Sequence, residues 1–324
     1  MRILVTGGRG MLGAAVVAEL GRDHEVVAFQ RHPSRSHARE ILGDIRDAAA
    51  VQDAMAGSDA VVHLAAKVTM HGDRREFESV NVRGTATVVD AARRAGVARF
   101  VHISSPSVAH SGAAIMGAGA EPADPSGARG DYSRTKAAAE LIALAADDDR
   151  MAVVAIRPHL VWGPGDTQLV DRIVARARAG RLFLLDGGTA LIDTTYVDNA
   201  ATAITRAVEA CAEPEVHGRA FVVSNGEPRT VAELLSRMAD AAGAPGPRRS
   251  VPSKVAIGAG HAIEAGWRAA RRTDEPILTA FIAEQLATAH WFDQRQTRAA
   301  LRWQPSVTLE EGFARLRAWY SAAS

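Results

Sequence analysis

Arg2-Ile3-Leu4-Val5-Thr6-Gly7-Gly8-Arg9-Gly10-Met11-Leu12-Gly13 opens the chain with an apolar run that breaks abruptly into glycine. The run predicts a strand, and Ala15, Val16, Ala18 and Leu20 follow at helical spacing. A second apolar run, Glu25–Phe29, closes a strand–helix–strand unit. Glycines at such a junction let the backbone turn sharply and approach a pyrophosphate, whose charge the helix N-terminus stabilises. A glycine pattern alone is weak; its place between strand and helix gives it meaning. The stretch predicts a dinucleotide site built from Gly7, Arg9, Gly10, Met11, Leu12 and Gly13.

The tip of the second strand bears on which dinucleotide. A site for NAD places an acidic residue about 20 positions beyond the glycines, on the ribose 2′-hydroxyl. Here the tip is Gln30-Arg31, followed by His32, Arg35 and Arg39, with no carboxylate before Glu40. Arg31 can pair with a 2′-phosphate, with Arg9 on the same side. The competing account is a merely basic surface loop. We read NADPH over NADH.

Working outward, strands alternate with helices, as an α/β doubly wound parallel sheet of Rossmann type requires. Ala60–Leu64 is a strand leading to Ala65-Ala66, small residues that let a cofactor lie close. Phe77–Ala95 reads as one helix, and Arg99–Ile103 as a strand ending at Ser104-Ser105, where ligands bind in open α/β sheets. A helix over Tyr132–Ala146 and a strand over Ala152–Arg157 follow, stopped by Pro158. Gly112–Gly130, rich in Gly, Ala and Pro, reads as an irregular loop, either ordering over substrate or staying disordered. Trp162-Gly163-Pro164-Gly165-Asp166 marks the exit from the first domain. The expected division is a dinucleotide-binding domain over 1–165 and a smaller, mainly helical substrate-binding region over 166–324, with about 190–225 returning to the first.

Inside the helix at 132–146 lies Tyr132-Ser-Arg-Thr-Lys136, in a chain with only three tyrosines and three lysines. Residues four apart on a helix share a face, so phenol and ammonium can point into one site. A lysine cation beside a tyrosine stabilises the phenolate and brings its pKa toward working pH. The bland alternative is a solvated helix face.

Composition narrows the function. A formal net charge of +1 gives no basic field for nucleic acid. The lone Cys211 rules out an internal disulfide, and the eleven histidines are scattered without metal-ligand spacing, so no metal is expected. No apolar run reaches membrane-spanning length, and a strand starting at Arg2 leaves no room for a signal peptide; a cytoplasmic protein is expected.

Thr6–Gly13, Ser105 and Tyr132–Lys136 resemble the extended short-chain dehydrogenase/reductase superfamily, as do Asp44 after the third strand, Asn81-Val82-Arg83-Gly84-Thr85 and Tyr196-Val197-Asp198-Asn199-Ala200. The resemblance implies that Ser105 bonds the substrate oxygen, Tyr132 transfers the proton, and Lys136 holds the nicotinamide ribose and depresses the tyrosine pKa. Ser104 and Ser107 compete for the serine role; motif alignment favours Ser105. It also implies that Asp44 touches the adenine, and Ile45, Ala65, Ala66, Lys67 and Pro158 complete the expected cofactor set. Dimerisation through the helices Phe77–Ala95 and Tyr132–Ala146 is implied too, as is a place in a multi-enzyme assembly.

Two departures narrow the chemistry. Sugar-nucleotide dehydratases of the superfamily follow the active serine or threonine with an acidic pair, whereas Ser105 precedes Pro106-Ser107. Sugar-nucleotide enzymes also carry asparagine at the position of Leu160, and a leucine side chain cannot hydrogen-bond a diphosphate. Arg157–Pro164 is similar instead to the 3β-hydroxysteroid dehydrogenase-type branch. Within that branch Ser104–Val108, Arg157–Asp166, Asp193–Tyr196, Ser224–Pro228 and Ala289–Phe292 resemble the 2-alkyl-3-oxoalkanoate reductases of bacterial long-chain olefin biosynthesis. That resemblance implies NADPH-dependent reduction of a β-keto acid bearing two long alkyl chains. The alternatives are a steroid dehydrogenase, a nucleotide-sugar epimerase or dehydratase, and a non-enzymatic dinucleotide sensor, the last disfavoured by the intact Tyr132–Lys136 pair.

The carboxyl-terminal half points weakly to an apolar substrate. Thr230–Gly243 reads as a helix with a capping box, Thr230-x-x-Glu233, and Thr308-x-x-Glu311 caps a final helix to Tyr320. Val255–Ala270 and Pro276–Ala289 read as helices whose apolar faces can wall a chain-binding cleft, though ordinary helix packing makes the same stripes. Arg268, Arg271 and Arg272 can pair with a substrate carboxylate or a carrier phosphate, or simply end a solvated helix.

Overall fold

The first strands are β1 (Arg2–Thr6), β2 (Glu25–Gln30), β3 (Arg39–Leu42), β4 (Ala60–His63) and β5 (Arg99–Ile103); β6 (Ile115–Ala118) and β7 (Ala152–Pro158) follow. In the computed structural model, which describes residues 1–34, 38–69, 72–110, 112–270, 272 and 278–323, seven parallel strands form one sheet. Its order is Arg219–Val223, β7, β5, β4, β1, β2, β3. The expected basic residue Arg35, as well as Arg271 and Pro276, lies outside the described residues, and so does the side chain of Arg268.

Twelve helices are described: α1 (Met11–Leu20), α2 (Ala48–Met55), α3 (Arg74–Phe77), α4 (Gly84–Ala95), α5 (Gly130–Leu144), α6 (Val170–Arg178), α7 (Val197–Ala210), α8 (Val231–Ala241), α9 (Ser253–Ala269), α10 (Ala280–Ala287), α11 (Arg295–Leu301) and α12 (Leu309–Ala323). Both faces of the sheet are covered, which is why β1 reads as an unbroken apolar run. Ile3 and Val5 pack with Val16 and Leu20 of α1 and Ile204 and Ala207 of α7. Leu4 faces the other way, with Phe29, Met55, Val88 and Phe100. Within the stretch 190–225, α7 lies on one face of the sheet and Arg219–Val223 pairs with β7 at its edge. A second core joins α6, α8 and α12 through Ile173, Leu235, Phe313 and Leu316.

Three sequence expectations need correction. The helix expected over Phe77–Ala95 starts earlier, at Arg74, where the Asp73 carboxylate caps it by accepting from the Arg75 N–H. It then passes through a π-helical stretch, Glu78–Arg83, before α4. That widened turn delivers Asn81 inward, to a role described below. The loop expected over Gly112–Gly130 contains β6, which pairs in parallel with His290–Phe292. Its partner is so distant in sequence that no local signal reveals it. The helix expected over Pro276–Ala289 is described only over Ala280–Ala287. Thr279 caps it, accepting from Ile282 N–H at 3.1 Å, and Thr288 is already extended toward the strand at His290. The caps expected at Thr230 and Thr308 are present, each hydroxyl accepting from a backbone N–H three residues on at 3.2 Å.

Candidate active site

The site starts where β1 ends. Gly7 has φ +80°, donates its N–H to Phe29 O at 3.0 Å, and sits so close to the next loop that a Cβ would lie 2.8 Å from Ala65 N. The first turn of α1 has neither a side-chain cap nor an acidic residue, so its backbone N–H groups are left for an anion. Gly13 is tighter still: a Cβ there would meet Gly7 O at 2.2 Å and Gly8 Cα at 2.9 Å, both backbone atoms. We expect Gly13→Ala to lower stability by about 1–3 kcal/mol and to weaken dinucleotide binding. Thermal melts with and without cofactor check this, and an unchanged melting point in both would refute it.

From this loop a cleft of about 790 Å³ runs along the carboxyl ends of the strands. Gly7, Arg9, Gly10, Met11, Leu12, Gly13, Arg31, Asp44, Ile45, Ala65, Ala66, Ser105, Tyr132, Lys136 and Pro158 all line it. Lys67 does not. Its ammonium turns away to Glu76 at 2.8 Å and lies over the Phe77 ring, while its backbone is bonded to Asn81. At the strand tip Arg31 and His32 face the cleft, but Glu40 is engaged elsewhere, accepting from Gln30 Nε2 at 3.0 Å and from the Ser34 N–H. Asp44 holds Arg46 through two bonds, at 2.9 and 2.6 Å, which keeps its carboxyl below the usual range.

The three residues expected to carry the chemistry line this same cleft. Ser105 lies two residues beyond β5 and caps a short 3₁₀ turn, Pro106–Ala109, with its Oγ 3.0 Å from Ser107 Oγ. Tyr132 and Lys136 sit one turn apart on α5. Burial pushes the Tyr132 phenol above its ordinary range, with Ser105 opposing the shift. Of the three candidate serines, Ser105 is the one that opposes that shift. Ser104 Oγ is buried without a partner among the described residues. Lys136 donates to Ile103 O at 2.5 Å, and burial lowers its pKa to about 8 against the opposing pull of Glu140. The lysine is expected to lower the pKa of the phenol; in this structure its ammonium donates to the end of β5.

Several supporting residues had no role assigned from sequence. Glu140, one turn beyond Lys136, forms a fully buried bidentate pair with Arg157 of β7, at 2.9 and 2.5 Å. Arg157 also donates to Glu121 O at 2.6 Å, so α5, β7 and the preceding loop are locked together. Asn81 bonds both backbone groups of Lys67 and donates to Thr135 Oγ1 on α5 at 3.1 Å. Beneath the glycine loop, His63 links Thr6 Oγ1 at 2.8 Å to Thr85 Oγ1 at 2.9 Å, and burial drives its pKa to about 3. The spacing of Glu140 to Lys136 was the available signal; the others depend on chain segments far apart.

Leu169, Ile173, Leu235, Leu278, Phe281 and Ile282 give the cleft a largely apolar wall, which Arg172, Arg176 and Arg181 also line. Leu160 belongs to this wall with φ +43°, a left-handed conformation that a leucine rarely adopts. Such strain gathers at functional sites. Among the described residues no group of His, Cys, Asp and Glu side chains could hold a metal ion, and no helix is long and apolar enough to cross a membrane.

Residues 4–252 match the model of the 3-beta hydroxysteroid dehydrogenase/isomerase family. The chain is 43% identical to the 2-alkyl-3-oxoalkanoate reductase of Stenotrophomonas maltophilia, over 98% of this chain and 99% of that protein. It is 31% identical to the 3-beta-hydroxysteroid dehydrogenase of Mycolicibacterium neoaurum, over 99% of this chain and 91% of that one. Among solved structures, MoeE5 in complex with UDP-glucose and NAD matches with a TM-score of 0.77 at 25% identity, over 100% of this chain and 99% of that chain.

Proposed function

Because the chain belongs to the 3-beta hydroxysteroid dehydrogenase/isomerase family and is an oxidoreductase with an NAD(P)-type dinucleotide, we propose that it reduces the ketone of a 2-alkyl-3-oxoalkanoate to the 2-alkyl-3-hydroxyalkanoate with NADPH. The observation that carries this reading is one cleft in which Ser105, Tyr132 and Lys136 stand beside a wall of aliphatic and aromatic side chains. Such a wall suits long alkyl chains, and Leu160 offers a diphosphate nothing to bond. The relative at 43% identity carries the same substrate class in its name.

The residues fit a dinucleotide. Gly7 and Gly13 keep clear a cradle that a Cβ would fill, and the uncapped first turn of α1 faces it. Gly7–Gly13 would hold the pyrophosphate, Asp44 and Ile45 the adenine end, and Arg31 the 2′-phosphate. When bound, the dinucleotide supplies the hydride. The ketone oxygen lies between Ser105 and Tyr132; Ser105 orients it by donating a hydrogen bond, and Tyr132 gives its proton to the developing alkoxide. Lys136, held by Ile103 O, keeps positive charge beside that event.

The test is an oxidation assay, because β-hydroxy acids are stable whereas β-keto acids decarboxylate. A long-chain 2-alkyl-3-hydroxyalkanoic acid is incubated with NADP⁺ or NAD⁺, following the reduced nicotinamide. Turnover with NADP⁺ preferred supports the proposal; turnover of a 3β-hydroxysteroid alone would favour the steroid reading that the family match and the Mycolicibacterium relative support. Arg31→Ala is expected to weaken NADPH tenfold or more while NADH changes little, the loss of one charge-assisted bond to phosphate. Equal weakening of both would remove the basis for NADPH. We further propose a homodimer through α4 and α5, which sedimentation velocity tests.

A further inference from the structure

We infer that His110, His159 and His290 form the pocket for the substrate's carboxyl group, beside the point of reduction; this rests on the β-keto acid reading above. The three come from separate places. His110 ends the turn that Ser105 begins, His159 follows Pro158 at the end of β7, and His290 opens the strand that pairs with β6. Their rings stand nearly perpendicular, His290 lying 5.4 Å from His110 and 5.9 Å from His159. Relative exposures are 5%, 7% and 2%, yet all three line the same cleft as Ser105, Ser107 and Tyr132. Edge-to-face rings do not converge on a point, so they make no metal site.

Among the described residues, both ring nitrogens of His110 and Nδ1 of His159 and of His290 have no hydrogen-bond partner. Buried polar atoms in native proteins are almost always paired, so four unpaired nitrogens on one cleft wall point to a ligand. The hydrogen bonds also say which kind. Thr288 donates its hydroxyl proton to Glu284 O at 2.8 Å, so its lone pair accepts from His290 Nε2 at 2.9 Å. His290 therefore carries its proton on Nε2, and Nδ1 presents a bare lone pair. On His159, too, Nδ1 has no partner among the described residues.

Bare lone pairs call for a group that brings a proton. A carboxylic acid does, and so does a carboxylate that enters with a proton taken up by an imidazole. Burial holds all three histidines below their ordinary range, so each is neutral before the ligand arrives. Several ionisable groups near them are committed elsewhere, while Arg172, Arg176 and Arg181 line the same cleft. Arg129 pairs with Glu284 beside His110, Asp193 accepts from Ser224 Oγ at 2.5 Å, and Lys136 is on Ile103. At neutral pH the complex with the acid therefore holds one more proton than its separated parts. There is a chemical benefit: a β-keto acid decarboxylates when its carboxyl proton passes to its own ketone oxygen. Ketone oxygen on Ser105 and Tyr132, with the carboxyl proton on imidazole, keeps the two apart.

The experiment is calorimetry on the chain saturated with NADPH, which cannot oxidise the ligand, titrating a 2-alkyl-3-hydroxyalkanoic acid or its methyl ester in buffers of different ionisation enthalpy. About one proton should be taken up per acid and none per ester, and acid affinity should fall about tenfold per pH unit above neutrality. His110→Phe and His290→Phe should weaken the acid tenfold or more and leave the ester unchanged. The wild-type proton count stands even if these variants fail to fold. Acid bound without proton uptake, or acid and ester weakened alike, would overturn the histidine pocket while leaving the reductase reading intact. An acid and an ester that are neither bound nor oxidised would overturn both.

Discussion

Replacing Tyr132 with phenylalanine is expected to cut turnover by about 10²–10⁴-fold, roughly 3–5 kcal/mol of barrier, while dinucleotide affinity stays nearly unchanged. Phenylalanine keeps the ring's packing on α5 and removes only the proton. Tyr132 lines the cleft together with Ser105. In the reducing direction the phenol must carry its proton; in the oxidising direction the phenolate must accept one. Oxidation should therefore rise with pH and reduction fall as the phenol ionises, and both limbs should vanish in the variant. Steady-state kinetics in both directions, with cofactor binding followed by fluorescence, checks this. Near-normal turnover would remove Tyr132 from the chemistry.

Breaking the pair behind it should have the largest effect on stability. Glu140→Ala leaves the Arg157 guanidinium, 1% exposed, without its carboxylate, and removing one partner of a buried pair costs about 3–5 kcal/mol. The Glu121 carbonyl is then its remaining bonded partner. Denaturant melts should show that loss, and Glu140→Leu combined with Arg157→Met should recover most of it, because two apolar side chains need no charge partner. There is a catalytic echo. Glu140 props up the Lys136 pKa against burial, so any folded Glu140→Ala should have a lysine pKa below about 8 and a pH profile moved toward acid. A single variant as stable as the parent would sink the account.

The sequence by itself determined the parallel Rossmann-type sheet and the shared helix of Tyr132 and Lys136. β1, the glycine turn and α1 are consecutive, and Tyr132 and Lys136 are one helical turn apart, so period and spacing suffice to place them. It carried Ser105 by motif, and the branch of the family through Leu160 and Pro106. Tertiary structure alone decided what depends on distant segments. β6 exists because His290–Phe292 lies beside it, and Asn81 turns inward because a π-helical stretch rotates it toward Lys67 and Thr135. Lys67, adjacent in sequence to Ala66 and expected in the cofactor set, is drawn out of the cleft by Glu76. Glu140 and Arg157 need the fold to become a pair. Scattered along the chain, His110, His159 and His290 share no spacing, and only packing brings their rings within 6 Å. Local pattern reports backbone periodicity; which polar atoms end up facing one another is set by packing between elements that periodicity does not order.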